Sequence, residues 1–407
     1  MNDVKRAAEA PVLPADGTPR ASTIIARVEL TVFRFPMQHV DKTGTESTDL
    51  PGAVTHRTRL AIRVTTADGA TGEYIGGNET IIGQAKTCAR LLLGYGGFER
   101  ELFYDAMKRK LRKNDRMGVS PLDIALWDLA GKRTRTSVTQ MLGGYRSRLK
   151  AYASTWFGGE TGGLATPEAF AAFAEHCHAL GYRAFKMHGW VDGDVPREVA
   201  TIRLLGNRVG TRMALMHDAA CHLRTFADAL AVGRACDDAN FFWYEDPFSD
   251  GGLSAFAHKK LRQLIHTPIL LGEHVRGLES VATLVLAEGT DFVRADPDFD
   301  MGITGTMKIA HFAEALGLDV ELHAPGPAQR ACMAAIRNTN WYELSLVGPS
   351  GGCFTPPCYT CGYSDRLEDV GADGCFEVPD GPGLGVTIDW DWIRAHAFEH
   401  HVFVPEP

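Results

Sequence analysis

Three acids recur at a spacing that could hold a metal ion. The apolar runs MALMHD, FFWYE and PILLGE end at Asp218, Glu245 and Glu273, the second acid 27 positions after the first and the third 28 after the second. Each run is short and apolar enough to be buried on both faces, as a central parallel strand is. That period is what a strand, loop, helix and return loop occupy in a β/α barrel of roughly 250 residues and eight units. Repeated in phase, the acids fall at the C-terminal ends of neighbouring strands, where barrel enzymes keep their chemistry. Three converging carboxylates repel unless a cation lies among them, and all-oxygen ligation favours Mg²⁺ over Zn²⁺. A helix N-cap would account for any single one of these acids; three in phase point to a metal site.

Two further pairs flank the acids. Lys186 and His188 stand at i and i+2 in RAFKMHG, so on a strand both side chains face the barrel mouth. A lysine beside a metal and among other cations has its pKa lowered, which would let it or its neighbour act as a base. Asp296 ends DFVRAD and His323 ends LDVELH 27 positions later. On adjacent strand ends the carboxylate can accept the imidazole Nδ1–H and leave Nε2 as a base. The arrangement would mirror the Asp–His part of a triad, with no Ser or Cys nucleophile beside it. A strand-end lysine next to a surface histidine, and an exposed histidine near a turn aspartate, are the plain alternatives. Glu343, in NWYELSL, lies 20 positions beyond His323 on the presumed eighth strand.

The elements that must position these groups follow from periodicity. Residues 1–22 lack a pattern and are expected to be a disordered tail. IIARVELTVFRFPM, TRLAIRVTTADG and TGEYIGG alternate as three antiparallel strands, with Asp68-Gly69 as a hairpin turn. The polar loop 38–54 between the first two has the length and composition of a lid. Helical periodicity over 81–145 completes an α+β capping domain, 23–148. From LKAYAST onward strands and helices alternate, the helix over 166–180 opening on Thr-Pro-Glu, and eight strand candidates fit 149–347. The predicted fold class is therefore α/β: an eight-stranded parallel β/α (TIM-like) barrel beneath an α+β cap. Residues 348–407, rich in Gly, Pro and Cys, are expected to return to the cap.

Composition narrows the function classes. A chain of 407 residues with 45% hydrophobic and 23% charged residues is that of an ordinary globular protein. A net charge of −8 without a Lys/Arg run argues against nucleic acid as a partner. No apolar run is long enough to span a membrane and no signal peptide is recognisable. Nine scattered cysteines are expected to be reduced thiols of a cytoplasmic protein. Cys353, Cys358, Cys361 and Cys375 cluster near the C-terminus, but their spacing is not that of paired zinc knuckles, so they are expected to be loop thiols.

The ordered set ALWDLAGK (125–132), KMH (186–188), Asp218, YEDP (244–247), GEH (272–274), Asp296 with MGITG (301–305), His323 and Glu343 resembles the mandelate racemase-like branch of the enolase superfamily. The resemblance covers about 25–347. It implies a capping domain over a β/α barrel, with Mg²⁺ held by Asp218, Glu245 and Glu273. It further implies a small carboxylate substrate, bound by the metal and a lysine, that loses the proton on the adjacent carbon to give an enediolate; Mg²⁺ with a Lys or His base is a known pattern of such enzymes. Lys186 matches the first lysine of the family's Lys-x-Lys pair. His188 stands where many members carry the second, which leaves open the face from which the proton departs. His323 and Asp296 match the opposing His–Asp dyad, and Glu343 a carboxyl group that hydrogen-bonds the substrate carboxylate. Ala220 stands where many members have an asparagine near the metal.

His274 and HAPGP (323–327) look more like the sugar-acid dehydratases of that branch. Dehydration of a polyhydroxy mono- or di-acid to a 2-keto-3-deoxy acid is accordingly the expected reaction. Racemisation or epimerisation of a 2-hydroxy acid, cycloisomerisation, and a non-catalytic binding role are the alternatives. Substrate contacts are expected from His274, Trp190 and the cap residues Asp41, Thr43 and Asn78, with Trp156 and Arg276 also at the barrel mouth. Aromatic-rich barrels of this kind often assemble, so a homo-oligomer is expected.

Overall fold

The computed structural model describes residues 23–37, 41–42, 49–50, 55–159, 162–350 and 355–406. The cap begins with β1 (Ile25–Met37), the short pair β2 (Asp41–Lys42) and β3 (Asp49–Leu50), then β4 (Thr55–Thr66) and β5 (Thr71–Gly76). Four helices follow: α1 (Ile82–Leu92), α2 (Arg100–Lys110), α3 (Ser120–Thr134) and α4 (Val138–Met141). The first 22 residues, most of the 38–54 loop and Cys353 lie outside the described residues.

Eight parallel strands then alternate with helices: β6 (Arg148–Thr155), α5 (Pro167–Leu180), β7 (Ala184–His188), α6 (Val195–Val209), β8 (Ala214–Asp218), α7 (Phe226–Asp238), β9 (Trp243–Glu245) and α8 (Ala255–Arg262). The series continues with β10 (Ile269–Leu271), α9 (Leu278–Leu286), β11 (Phe292–Ala295), α10 (Gly302–Ala315), β12 (Val320–Leu322), α11 (Pro327–Ala335) and β13 (Tyr342–Val347). The chain ends through β14 (Cys375–Glu377), α12 (Trp390–Ala395) and β15 (Ala397–Phe403). Helix starts follow local chemistry: Thr166 caps α5 ahead of its proline, and Thr225 with Asp228 forms a capping box at α7. No described helix is long and apolar enough to cross a membrane.

Hydrogen-bonded order in the large sheet runs β12-β11-β10-β9-β8-β7-β6-β13. Among the described residues β12 and β13 share no ladder, so the closed ring expected from eight repeats has a seam there. Side chains bridge it: Glu321 accepts from the Asn340 amide at 2.7 Å and from Trp341 N at 3.1 Å, and Glu343 accepts from Ala324 N at 3.0 Å. Period-two alternation turns successive residues of each strand inward at rising depth. Tyr152, Ala184, Met216, Trp243 and Leu270 pack as one apolar layer at the N-terminal end of the strands. The next inward positions carry Lys186, Glu245, Arg294 and Glu343, all at most 1% exposed.

The cap sheet has the order β15-β1-β4-β5, antiparallel throughout. The C-terminal segment thus completes the cap through β15. It does not only return there, because β14 also pairs antiparallel with β6 at the bottom of the barrel. A buried carboxylate joins these parts. Asp128, in ALWDLAGK on α3, accepts from Glu73 N of β5 at 2.8 Å, from Leu384 N at 2.9 Å and from Lys132 Nζ at 2.7 Å. Gly383 beside it has φ +72°, and a Cβ there would come within 2.2 Å of Asp128 Oδ1, so only glycine lets the C-terminal loop approach. Asp128→Ala should lower the unfolding free energy by roughly 2–6 kcal/mol, since each of two buried backbone donors left unpaired costs about 1–3 kcal/mol. Denaturant titration measures this; an unchanged midpoint would show that the carboxylate does not tie α3, β5 and the C-terminal loop together.

Candidate active site

Strand register brings the chemistry-bearing residues into one ring. His188 pairs with Asp218 between β7 and β8, and Asp218 with Glu245 between β8 and β9. Glu273 follows β10 after Gly272, and Asp296 and His323 each follow the paired residues Ala295 and Leu322. Gly272, with φ +132°, leaves no room for a Cβ, because Arg294 O lies 2.5 Å from that position.

Below the rim lies a layer of buried charges. Lys186 Nζ sits 2.8 Å from Asp218 Oδ2, 2.8 Å from Glu245 Oε2 and 3.2 Å from Glu343 Oε1. Arg294 Nη2 lies 2.8 Å from Glu245 Oε1 and 3.1 Å from Glu343 Oε2, and it also donates to the Tyr152 hydroxyl at 3.1 Å. Burial disfavours the Lys186 charge, yet Asp218, Glu245 and Glu343 hold its ammonium well above the ordinary lysine range. The lowered lysine expected from the sequence is therefore corrected: its neighbours here are carboxylates rather than cations. Burial likewise opposes the charge of Asp218, but Lys186 and His188 keep it well below the carboxylate range, whereas burial pushes Glu245 up to about 7 against Arg294 and Lys186.

At the rim, Asp218, Glu245 and Glu273 each offer a carboxylate oxygen within 4.8 Å of the others. Three hard oxygen donors at this separation suit a divalent cation such as Mg²⁺. The charge balance suits it too. Asp218, Glu245, Glu273 and Glu343 surround two permanent cations, Lys186 and Arg294, so two negative charges are left to balance.

The two histidines close the ring from opposite sides. His188 Nδ1 is 2.6 Å from the Thr155 carbonyl, which can only accept, and its Nε2 is 3.1 Å from Asp218 Oδ2. Across the ring, His323 Nδ1 is 2.6 Å from Asp296 Oδ2, and its Nε2 is 3.3 Å from Glu273 Oε1. Burial works against its charge, but Glu273 and Asp296 raise His323 to about 9. Asp296 Oδ1 in turn accepts from Asp298 N at 2.7 Å. Asp298 receives the Tyr74 hydroxyl at 2.8 Å, the contact by which the cap reaches this dyad.

The expected substrate contacts fare unevenly. Trp190 is corrected: it is 2% exposed, packed edge-on to Phe170 at 5.6 Å, covered by the Arg197 guanidinium at 4.4 Å and pressed on Gly158. Trp156 is equally buried, so both indoles pack the barrel wall. Asn78 caps a 3₁₀ turn, its Oδ1 accepting from Thr80 N at 3.0 Å. Asp41 begins β2, and Thr43 lies outside the described residues. His274 is exposed beside Asp246, Nε2 to Oδ2 3.4 Å. Where an asparagine was noted as missing, Ala220 donates its backbone N–H to Asp218 Oδ1 at 2.8 Å. Among the described C-terminal thiols Cys358 is buried and Cys361 exposed, and none joins a metal-competent group.

Arg294, Tyr152 and Thr155 are partners that sequence reasoning passed over. Arg294 had a readable signal: it stands at i−2 from Asp296 in an otherwise apolar strand, on the same inward face. Thr155 acts through its backbone carbonyl, which leaves no trace in residue types.

Comparison with known proteins agrees with this geometry. Residues 169–392 match the enolase C-terminal domain-like family, and residues 49–143 match the mandelate racemase / muconate lactonizing enzyme N-terminal domain. The chain is 30% identical over 284 residues to a D-gluconate/D-galactonate dehydratase of Picrophilus torridus, covering 67% of this chain and 68% of that protein. It is 28% identical over 381 residues to a 3,6-anhydro-alpha-L-galactonate cycloisomerase of Streptomyces coelicolor, covering 90% and 98%. The crystal structure of D-glucarate dehydratase from Agrobacterium tumefaciens complexed with magnesium superimposes with a TM-score of 0.80 at 28% identity, covering 93% of this chain and all of that one. With both family domains matched in order and the acids, lysine and His–Asp pair converging at the barrel mouth, the chain belongs to the mandelate racemase-like branch of the enolase superfamily.

Proposed function

We propose that this enzyme is a Mg²⁺-dependent hydro-lyase that dehydrates a sugar acid, a polyhydroxy mono- or di-carboxylate, to a 2-keto-3-deoxy acid. The observation that carries this reading is the His323–Asp296 pair, placed across the carboxylate ring from Lys186 and His188. A bound Mg²⁺ at Asp218, Glu245 and Glu273 would supply positive charge for the substrate carboxylate and for the charge that develops on it.

The chain's own groups supply the rest. Lys186, enclosed by three acids, acts as a fixed cation near the substrate carboxylate rather than as a base. Glu343 holds Lys186 and Arg294 in place and is the carboxyl group nearest to a carboxylate contact. His323 Nε2 takes the α-proton, while Asp296 holds its Nδ1–H and stabilises the imidazolium formed. The same imidazolium can protonate the departing β-hydroxyl, with His188 able to share that task from the other face. Loss of water leaves an enol, which tautomerises to the 2-keto-3-deoxy acid.

A second reading, racemisation or cycloisomerisation, is favoured by one feature: acid–base groups stand on both sides of the ring, which suits two-sided proton exchange. The cycloisomerase relative makes it concrete. A screen of mono- and di-acid sugars with Mg²⁺ separates the two. Keto-acid formation is expected from at least one substrate, and His323→Asn should lower that rate by about 10²–10⁴-fold. Solvent deuterium at the α-carbon without keto acid would favour the second reading; an unchanged rate in His323→Asn would remove His323 as the base.

The ring also links cation binding to a proton. Protonated His323 neutralises Glu273 in the metal-free protein, so it competes with a cation for that carboxylate. A group raised to about 9 stays protonated through neutral pH, and its competition fades as pH rises through that value. Mg²⁺ affinity should therefore climb between about pH 7 and 9, with the His323 imidazole losing its proton on binding. Calorimetry in buffers of different ionisation enthalpy, with NMR of the imidazole, reads both effects; an affinity flat across this range would contradict the coupling.

A further inference from the structure

The loops that follow the three acidic strand ends hold a second group of ligand atoms. Cys221 stands three positions after Asp218, Asp246 follows Glu245 and His274 follows Glu273. One Sγ, one carboxylate oxygen and one imidazole nitrogen from these residues lie within 4.8 Å of one another. Asp246 is the informative member. It is 1% exposed, and its Oδ1 has no hydrogen-bond partner. Its Oδ2 reaches only the His274 Nε2, at 3.4 Å, beyond a good hydrogen bond. A carboxylate buried in this way lacks a compensating group.

The backbone around it is bent to present these side chains. Cys221 has φ +63° and Asp246 φ +40°, left-handed values that non-glycine residues adopt where surroundings enforce them. Cys221 N donates to Asp246 O at 2.9 Å, fixing the two loops to each other. Gly251 and Gly252, both left-handed, form the turn above; a Cβ on Gly252 would stand 3.2 Å from Asp246 Oδ1. His274 is the exposed member, its side chain 41% accessible, which gives an ion a route from solvent.

We propose that Cys221, Asp246 and His274 form a second metal site, distinct from the all-oxygen ring, for a borderline transition metal of the Zn²⁺ or Co²⁺ class. The donor set decides the class: thiolate and imidazole select such ions, whereas Mg²⁺ is bound by oxygen alone. Metal–ligand bonds of about 2.0–2.3 Å in a tetrahedron put ligand atoms roughly 3.3–3.8 Å apart, which the observed group meets after small side-chain movements. Three protein ligands leave the fourth position open to water. On binding, the Cys221 thiol loses its proton to solvent and the sulfur lone pair forms the bond to the metal. The site goes beyond the proposed reaction and does not depend on it.

The test uses the full chain, stripped with a chelator, saturated with Mg²⁺ and then titrated with Co²⁺. A thiolate-to-cobalt charge-transfer band should appear and saturate at one equivalent. Cys221→Ser should abolish the band, while Cys361→Ser, which removes an exposed thiol elsewhere, should leave it intact. A titration without a thiolate band, or a band that survives Cys221→Ser, overturns the proposal; cobalt entering only the carboxylate ring would give the first of these. Should Cys221→Ser fail to fold, the wild-type protein is alkylated with and without Zn²⁺ and the labelled thiols mapped. Protection of Cys221 by Zn²⁺ supports the site, and labelling indifferent to Zn²⁺ overturns it. None of these readouts uses turnover, so failure here and failure of the dehydratase reading are separable.

Discussion

The barrel mouth is organised by one electrostatic constraint: several carboxylates are buried close together, and burial of an unpaired charge is costly. Lys186 and Arg294 answer part of it from below, each spanning two or more acids. The remaining deficit lies at the rim, where Asp218, Glu245 and Glu273 converge. In the metal-free chain the histidines supply what charge they can, His323 by rising to about 9. A divalent cation closes the same deficit without protons. The state of the base and the filling of the ring are thus two sides of one balance.

The scaffold gives that balance its geometry. Parallel strands in register carry an apolar inward residue, then a buried charge, then a rim group, so each layer is one strand step above the last. Apolar packing at the bottom keeps water from the charge layer, which strengthens every interaction within it. The cap contributes at one point that matters to the chemistry: Tyr74 reaches Asp298, whose backbone N–H in turn holds Asp296. Cap and base are therefore linked through two hydrogen bonds.

Much of this was legible in the sequence because period carries position. The near-constant spacing of Asp218, Glu245, Glu273, Asp296 and His323 places all five at strand ends once a β/α repeat is assumed. The i, i+2 relation of Lys186 and His188 fixes their common face. What was missed has physical reasons. Trp190 was expected at the mouth because aromatic residues near strand ends can stack on sugars, but Gly158 and Phe170 leave a slot that its indole fills. The seam between β12 and β13 cannot be inferred from hydrophobic pattern, since it depends on which backbone groups find a ladder partner. The dual fate of the C-terminal segment, β14 on the barrel and β15 on the cap, is a long-range pairing that local composition does not encode.

The central claim is that the carboxylate ring at the strand ends is a cation site. Crystals grown with Mn²⁺ in place of Mg²⁺, measured at the manganese absorption edge, test it directly. The account predicts an anomalous peak enclosed by Asp218, Glu245 and Glu273, each giving one oxygen at about 2.0–2.3 Å, with His323 Nε2 turned away from Glu273. No peak there at saturating Mn²⁺, with Lys186 and His323 still filling the ring, would contradict it.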